Sequence, residues 1–176
     1  MVIFLDFDGV LHPNEVTKPV NKPLRLDVPG HLFMHAKVLE ELIATYDVSI
    51  VLSSSWVRML GFSVTRRKMP KTLAKRVVGA TWHSGMVDVV SYPYSIGSKL
   101  ADPFNYMSRY QQIKHYVEQH EIKNWLAIDD LHSGTEIESW PIEMRKHLVL
   151  TDGELGISCI KAQQELTKKL NMDDRS

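Results

Sequence analysis

Apolar positions fall into two kinds of segment along this chain. The first kind is a short, mostly apolar run: Val2-Ile3-Phe4-Leu5, Val48-Ser49-Ile50-Val51-Leu52 and Asn124-Trp125-Leu126-Ala127-Ile128. Such runs have the length of strands buried on both faces, the kind found at the centre of a parallel sheet. His147-Leu148-Val149-Leu150-Thr151-Asp152 reads as a further strand, and Val77 to Thr81 as a short strand or buried turn. The second kind is helical. Leu39, Leu42, Ile43 and Tyr46 share one face within 35–46, and Tyr106, Tyr110, Ile113 and Val117 recur at four, three and four within 106–120. Residues 70–78 present a solvated helix face, and a last helix follows Gly153 and Gly156, running from about Ser158 to Leu170. Between these lie a proline-rich loop (12–33), an irregular stretch read as a small lid (82–105), a connecting region (132–146) and a frayed polar end (171–176). A loop as long as the first is often functional, and here it can form one wall of an entrance.

The apolar runs end in polar residues. The first meets Asp6, Asp8 and Gly9. Strand side chains alternate, so Asp6 and Asp8 are expected on one side with Phe7 on the other. Paired carboxylates repel, which raises the proton affinity of one, and a divalent cation relieves the repulsion. Gly9 permits a sharp turn. An Asp-Gly turn without chemistry is the plain alternative. A calcium EF-hand loop is excluded, because Val10 stands where an oxygen ligand is needed and Leu11 where glycine is needed. The second run closes in Ser53-Ser54-Ser55-Trp56. A hydroxyl with backbone N–H groups at a strand end can cradle phosphate, Ser53 through its side chain and Ser54 through its amide. Equally, serines there can simply cap a helix. The third run ends in Asp129-Asp130.

In order along the chain, Asp-Phe-Asp-Gly-Val-Leu-His-Pro, Val-Leu-Ser-Ser-Ser-Trp, Arg-Tyr-Gln-Gln-Ile, Ala-Ile-Asp-Asp and Leu-Val-Leu-Thr-Asp resemble the motifs of the haloacid dehalogenase (HAD) superfamily. The likeness is to the compact HAD domains of Swiss Army knife RNA-repair proteins. It implies an α/β fold, a three-layer Rossmann-like parallel sheet without a large cap domain, with residues 1–176 as one domain. It also implies a Mg²⁺-dependent phosphohydrolase acting on a phosphomonoester, such as a nucleotide or nucleic-acid end. Asp6 would be the nucleophile and Asp8 the acid and base. Asp6, the Asp8 backbone carbonyl, Asp129 and Asp130 would hold Mg²⁺, and Ser53 and Ser54 the phosphate. The third motif calls for a basic residue at the start of the helix before the third strand, whose N-terminus lies at the strands' carboxyl edge. Arg109 is in the first turn; Lys114 is five residues on, about 7.5 Å farther away, and stands second. Val57 occupies the place where this group usually carries an arginine, and Arg58 follows it. A fold-retaining nucleic-acid-binding module without turnover, and a phosphotransferase, remain the rival readings.

Composition narrows the setting. An apolar fraction of 44% with 24% charged residues is that of an ordinary globule, and zero net charge means the whole chain is no general attractant for polyanions. A single cysteine, Cys159, allows no internal disulfide. No secretory leader and no membrane-spanning run is visible, so a cytoplasmic protein without membrane attachment is expected. One asymmetry stands out: seven basic residues and no acidic one lie between Arg58 and Arg76. The stretch reads either as a surface for an anionic substrate such as a nucleic-acid backbone or as a solvated helix face over 70–78, with Phe62 the one aromatic there for base stacking.

Overall fold

β1 (Val2–Leu5) lies at the centre of a five-stranded sheet, between β4 (Ser49–Leu52) and β8 (Trp125–Asp130). β5 (Val77–Ala80) flanks β4, and β9 (Leu148–Thr151) flanks β8, with every pairing parallel. Strand order runs outward from β1 in both directions. That makes the carboxyl end of β1 the topological switch point, where open α/β sheets take their ligands. The coordinates are a computed structural model and describe residues 1–19, 22–84, 88–90, 99–101, 107–130 and 137–173.

Alternation along the strands sorts the core into two layers. Ile3, Leu5, Ile50, Leu52, Leu126 and Ile128 face α1 (Ala36–Leu42), α4 (Lys71–Arg76) and α6 (Ile160–Asp173), meeting Leu39, Leu73 and Leu166. Phe4, Val51, Trp125 and Ala127 face the other way, toward Ile113 of α5 (Arg109–Gln119) and toward Trp140. Helices on both faces give the expected three-layer α/β arrangement, and no large cap is evident among the described residues. None of the described helices is long and apolar enough to cross a membrane.

Several boundaries depart from the sequence expectations. Within 12–33 the chain forms a two-residue antiparallel pair, β2 (Val16–Thr17) with β3 (Arg25–Leu26). After β4 come α2 (Ser55–Leu60) and α3 (Phe62–Lys68), divided at Gly61, whose φ of +81° an L side chain rarely adopts. The helix expected over 70–78 ends at Arg76, where the β-branched pair Val77-Val78 starts β5. Within 82–105, β6 (Asp88–Val90) pairs with β7 (Lys99–Ala101) in place of wholly irregular structure; the rest of the expected lid lies outside the described residues. Three-residue strands are too short for alternation to register in sequence.

α5 starts at Arg109, not Tyr106, which lies outside the described residues. Ser108 fixes that start with a capping box. Its hydroxyl accepts from the Gln111 N–H at 3.3 Å, and the Gln111 side chain accepts from the Ser108 N–H at 2.8 Å. The connecting region contains 3-10 turns at Ile137–Ser139 and Ile142–His147 around the buried Trp140. α6 continues through Asp173, three residues beyond its expected end, so 171–173 are helical; 174–176 lie outside the described residues.

Candidate active site at the carboxyl edge of the sheet

The parallel ladder carries one residue past the strands. The Asp6 N–H donates to the Ile128 carbonyl (3.1 Å) and the Ser53 N–H to the Leu5 carbonyl (2.9 Å). Asp6, Ser53 and Asp129/Asp130 therefore emerge from three adjacent strands at one edge. Pleating then decides what each meets. Asp129 continues the row of Trp125 and Ala127 that faces α5, and it meets Arg109. Asp130 continues the row of Leu126 and Ile128 on the opposite face, and it lies under Gly9. A Cβ on Gly9 would sit 2.1 Å from Asp130 Oδ2, and its φ is +69°, so a side chain there is excluded twice over.

Carboxylate oxygens of Asp6, Asp129 and Asp130 lie within 4.8 Å of one another, and all three residues are buried. Arg109, at the first position of α5, bridges two of them, Asp6 and Asp129. Its Nη2 donates to Asp6 Oδ2 at 3.1 Å, its Nε lies 2.9 Å from Asp129 Oδ2, and its Nη1 donates to the Ser53 hydroxyl at 3.3 Å and to the Ser53 carbonyl. Burial works to lower the Arg109 pKa, but Asp129, Asp6, Asp130 and Asp8 outweigh it and hold it above its ordinary value. One guanidinium thus faces three close carboxylates, and negative charge stays in excess among these groups. A buried, all-oxygen donor set of that sign suits a hard divalent cation, so the triad is positioned to bind a metal.

Asp8 does not join this cluster through its side chain. The strand ends at Leu5 and the chain turns, with Val10 and Leu11 N–H both donating to the Phe7 carbonyl (3.1 and 2.8 Å), so strand alternation no longer governs Asp8. Both Asp8 oxygens lie 3.0 Å from the Trp56 indole N–H, and Oδ1 lies 3.0 Å from His12 Nε2. The metal ligand expected of Asp8 is its backbone carbonyl, which leaves the carboxylate for other work. His12 is fully buried, and its Nδ1 accepts from the Phe33 N–H at 3.2 Å. With Nδ1 occupied as an acceptor, the neutral ring carries its proton on Nε2 and donates to Asp8. Phe33 holds its N–H there from a left-handed conformation, φ 64°.

Of the remaining expected residues, Ser54 is the cap of α2, its hydroxyl accepting from the Trp56 N–H at 3.4 Å. Lys114 is not brought to the cluster: it is exposed and lies 3.6 Å from Glu118. Three residues with no role expected from sequence belong to the site. They are His12, Trp56 and Thr151, whose hydroxyl lies 2.7 Å from the Gly9 carbonyl and 3.2 Å from that of Asp129, lacing the first turn to the end of β8. All three stand inside the motif stretches that carry the family resemblance, which was the one signal available for them.

No curated protein and no solved structure matches the chain significantly. A family match covers residues 2–162, which takes in the whole five-stranded sheet and the three strand tips that build the cluster. The chain belongs to the family described as the HAD domain in Swiss Army Knife RNA repair proteins.

Proposed function

We propose that this chain is a Mg²⁺-dependent phosphohydrolase that works through an aspartyl-phosphate on Asp6, with a phosphomonoester of a nucleotide or nucleic-acid end as substrate. The observation that supports this most is the convergence of Asp6, Asp129 and Asp130 from neighbouring strands into one buried carboxylate cluster bridged by Arg109. In the first half-reaction an Asp6 oxygen attacks phosphorus while the bond to the leaving oxygen breaks, and Asp8 gives that oxygen its proton. In the second, Asp8 takes a proton from water, the water oxygen bonds to phosphorus, and the Asp6–phosphorus bond breaks. Arg109 and Ser53 offset charge on the transferring group. Asp6, the Asp8 carbonyl, Asp129 and Asp130 would hold Mg²⁺, which would supply further neutralisation of phosphoryl oxygens when bound. A cytoplasmic setting goes with this reading.

The test is phosphate release, with and without Mg²⁺, from an aryl phosphate, a panel of nucleotides, and 5′- and 3′-phosphorylated oligonucleotides. Mg²⁺-dependent release from at least one substrate is expected. Absence of release from all of them, alongside tight binding of the oligonucleotides, would turn the reading toward a binding module.

Within this reading His12 is a positioning residue acting through Asp8. His12→Phe keeps a ring between Phe33 and Trp56, whose centroids lie 5.3 and 5.5 Å from that of His12, but removes the donor to Asp8. It should lower kcat about 10–100-fold with little change in KM, the scale seen when a group orienting a functional side chain is lost. His12→Gln retains an N–H donor and should recover part of that loss. Steady-state kinetics with the aryl phosphate decide it; equal kcat in both variants would reduce His12 to a packing role.

A further inference from the structure

The chemistry above uses none of the seven cations between Arg58 and Arg76. Arg76 is committed to the fold, its Nη1 donating to the carbonyls of Tyr46 (2.9 Å) and Val48 (3.2 Å) just ahead of β4. Arg66, Arg67, Lys68, Lys71 and Lys75 are exposed, and among the described residues no carboxylate forms an ion pair with any of them. Between α3 and α4 runs a cleft of about 540 Å³, with Arg66 and Arg67 on one rim, Lys71 and Lys75 on the other, and Phe62 and Met69 between them. Arg66 Nε donates across it to the Ala74 carbonyl at 2.9 Å, which fixes the spacing of the two helices.

We propose that the α3–α4 cleft binds the sugar-phosphate backbone of a single-stranded nucleic acid. A ligand must present repeated negative charge to engage cations spread along two helices, and flat apolar faces to use the surface between them. A single strand offers both, its phosphates to the rims and a base to the Phe62 ring. A small phosphorylated metabolite offers only one charged group, for which exposed cations on separate helices are poorly convergent. An acidic peptide supplies charge without the stacking faces.

The cleft is also fastened to Asp8 of the first motif. The Thr65 hydroxyl on α3 lies 3.0 Å from the Trp56 carbonyl and 2.9 Å from that of Gly61, and the Trp56 indole donates to Asp8. A strand held in the cleft therefore rests on the segment that leaves Ser53. That the bound strand carries the phosphate to be removed rests on the phosphohydrolase reading; that the cleft binds a strand does not.

The test is fluorescence anisotropy of a labelled single-stranded oligonucleotide without terminal phosphates, over a range of salt, on the full chain. The cleft variant is Arg67→Glu with Lys71→Glu. The control is Lys37→Glu with Lys123→Glu, an equal charge change at exposed sites on α1 and before β8. Losing two phosphate contacts should reduce the slope of log K against log salt by about 1.4 and weaken binding at low salt at least about tenfold. The control should bind nearly as wild type does. Aryl phosphate turnover and the melting temperature should be unchanged in the cleft variant, which separates a binding defect from misfolding. No binding by wild type, or equal weakening in cleft and control variants, would overturn the proposal. So would loss in the cleft variant of binding to vesicles containing anionic lipid while oligonucleotide binding persists. Binding that responds as expected in a chain that releases phosphate from nothing would leave the cleft standing and sink the phosphohydrolase reading.

Discussion

Asp6→Asn should abolish Mg²⁺-dependent phosphate release while leaving the fold intact. Asparagine matches the shape of aspartate, and its carbonyl oxygen can still accept from the Phe7 N–H, which Asp6 Oδ1 accepts at 2.7 Å. What it lacks is the nucleophile, and a reaction divided into two steps by a covalent bond to that oxygen has no alternative route. Loss on the order of 10⁴-fold or more is expected, the range in which removal of a nucleophile falls. Stability should respond in a second, independent way. Without a divalent cation, removing one of three close buried carboxylates lessens their mutual repulsion, so the melting temperature should hold or rise. With Mg²⁺ present, wild type gains stability by mass action, about 2.7 kcal/mol at a hundredfold excess over Kd. The variant, with one ligand fewer, should gain less at the same concentration. Phosphate release from an aryl phosphate and thermal melts with and without Mg²⁺ read both effects. Unchanged turnover in Asp6→Asn would rule out the assignment of Asp6.

Where the site was legible in sequence, its signal was local. Asp6, Ser53 and Asp129 each stand at the polar end of a short apolar run, so strand and tip were read together. Choosing Arg109 ahead of Lys114 took the basic residue that the family's third motif calls for, together with the rise of a helix. The start of α5 was readable too, because Ser108-Arg109-Tyr110-Gln111 has the spacing of a capping box, but the apolar spacing drew the expected start back to Tyr106. The illegible parts depend on partners far apart in the chain. Trp56 meets Asp8 across 48 positions and Thr151 meets Gly9 across 142, and no local pattern encodes either contact. The two carboxylates of the first motif were expected side by side because alternation was extended past Leu5. The turn at Gly9 ends that regularity and sends Asp8 to Trp56 and His12. Packing between distant segments, rather than propensity, decides these positions.

Arg109 is where the electrostatics and the chemistry can be pulled apart. Its guanidinium, 8% exposed, is the cation bridging Asp6 and Asp129, 3.1 and 2.9 Å away. Arg109→Met fills much of the volume but leaves those carboxylates without this counter-charge and the Ser53 carbonyl without this donor. Breaking a buried pair from one side costs about 3–5 kcal/mol. For a chain of this size that is a fall of roughly 10 °C in melting temperature, measured in a chelator. Added Mg²⁺ should return part of the stability, because any cation in the cluster offsets the same carboxylates. It should not return the rate, since the donors aimed at the transferring group are gone; kcat should stay about 10²–10³-fold down. Arg109→Lys should fall between, because a point charge cannot span Asp6, Asp129 and Ser53 as the planar fork does. A methionine variant as stable as wild type in chelator would show that Arg109 does not balance the cluster. One that regained full turnover with Mg²⁺ would remove Arg109 from the chemistry.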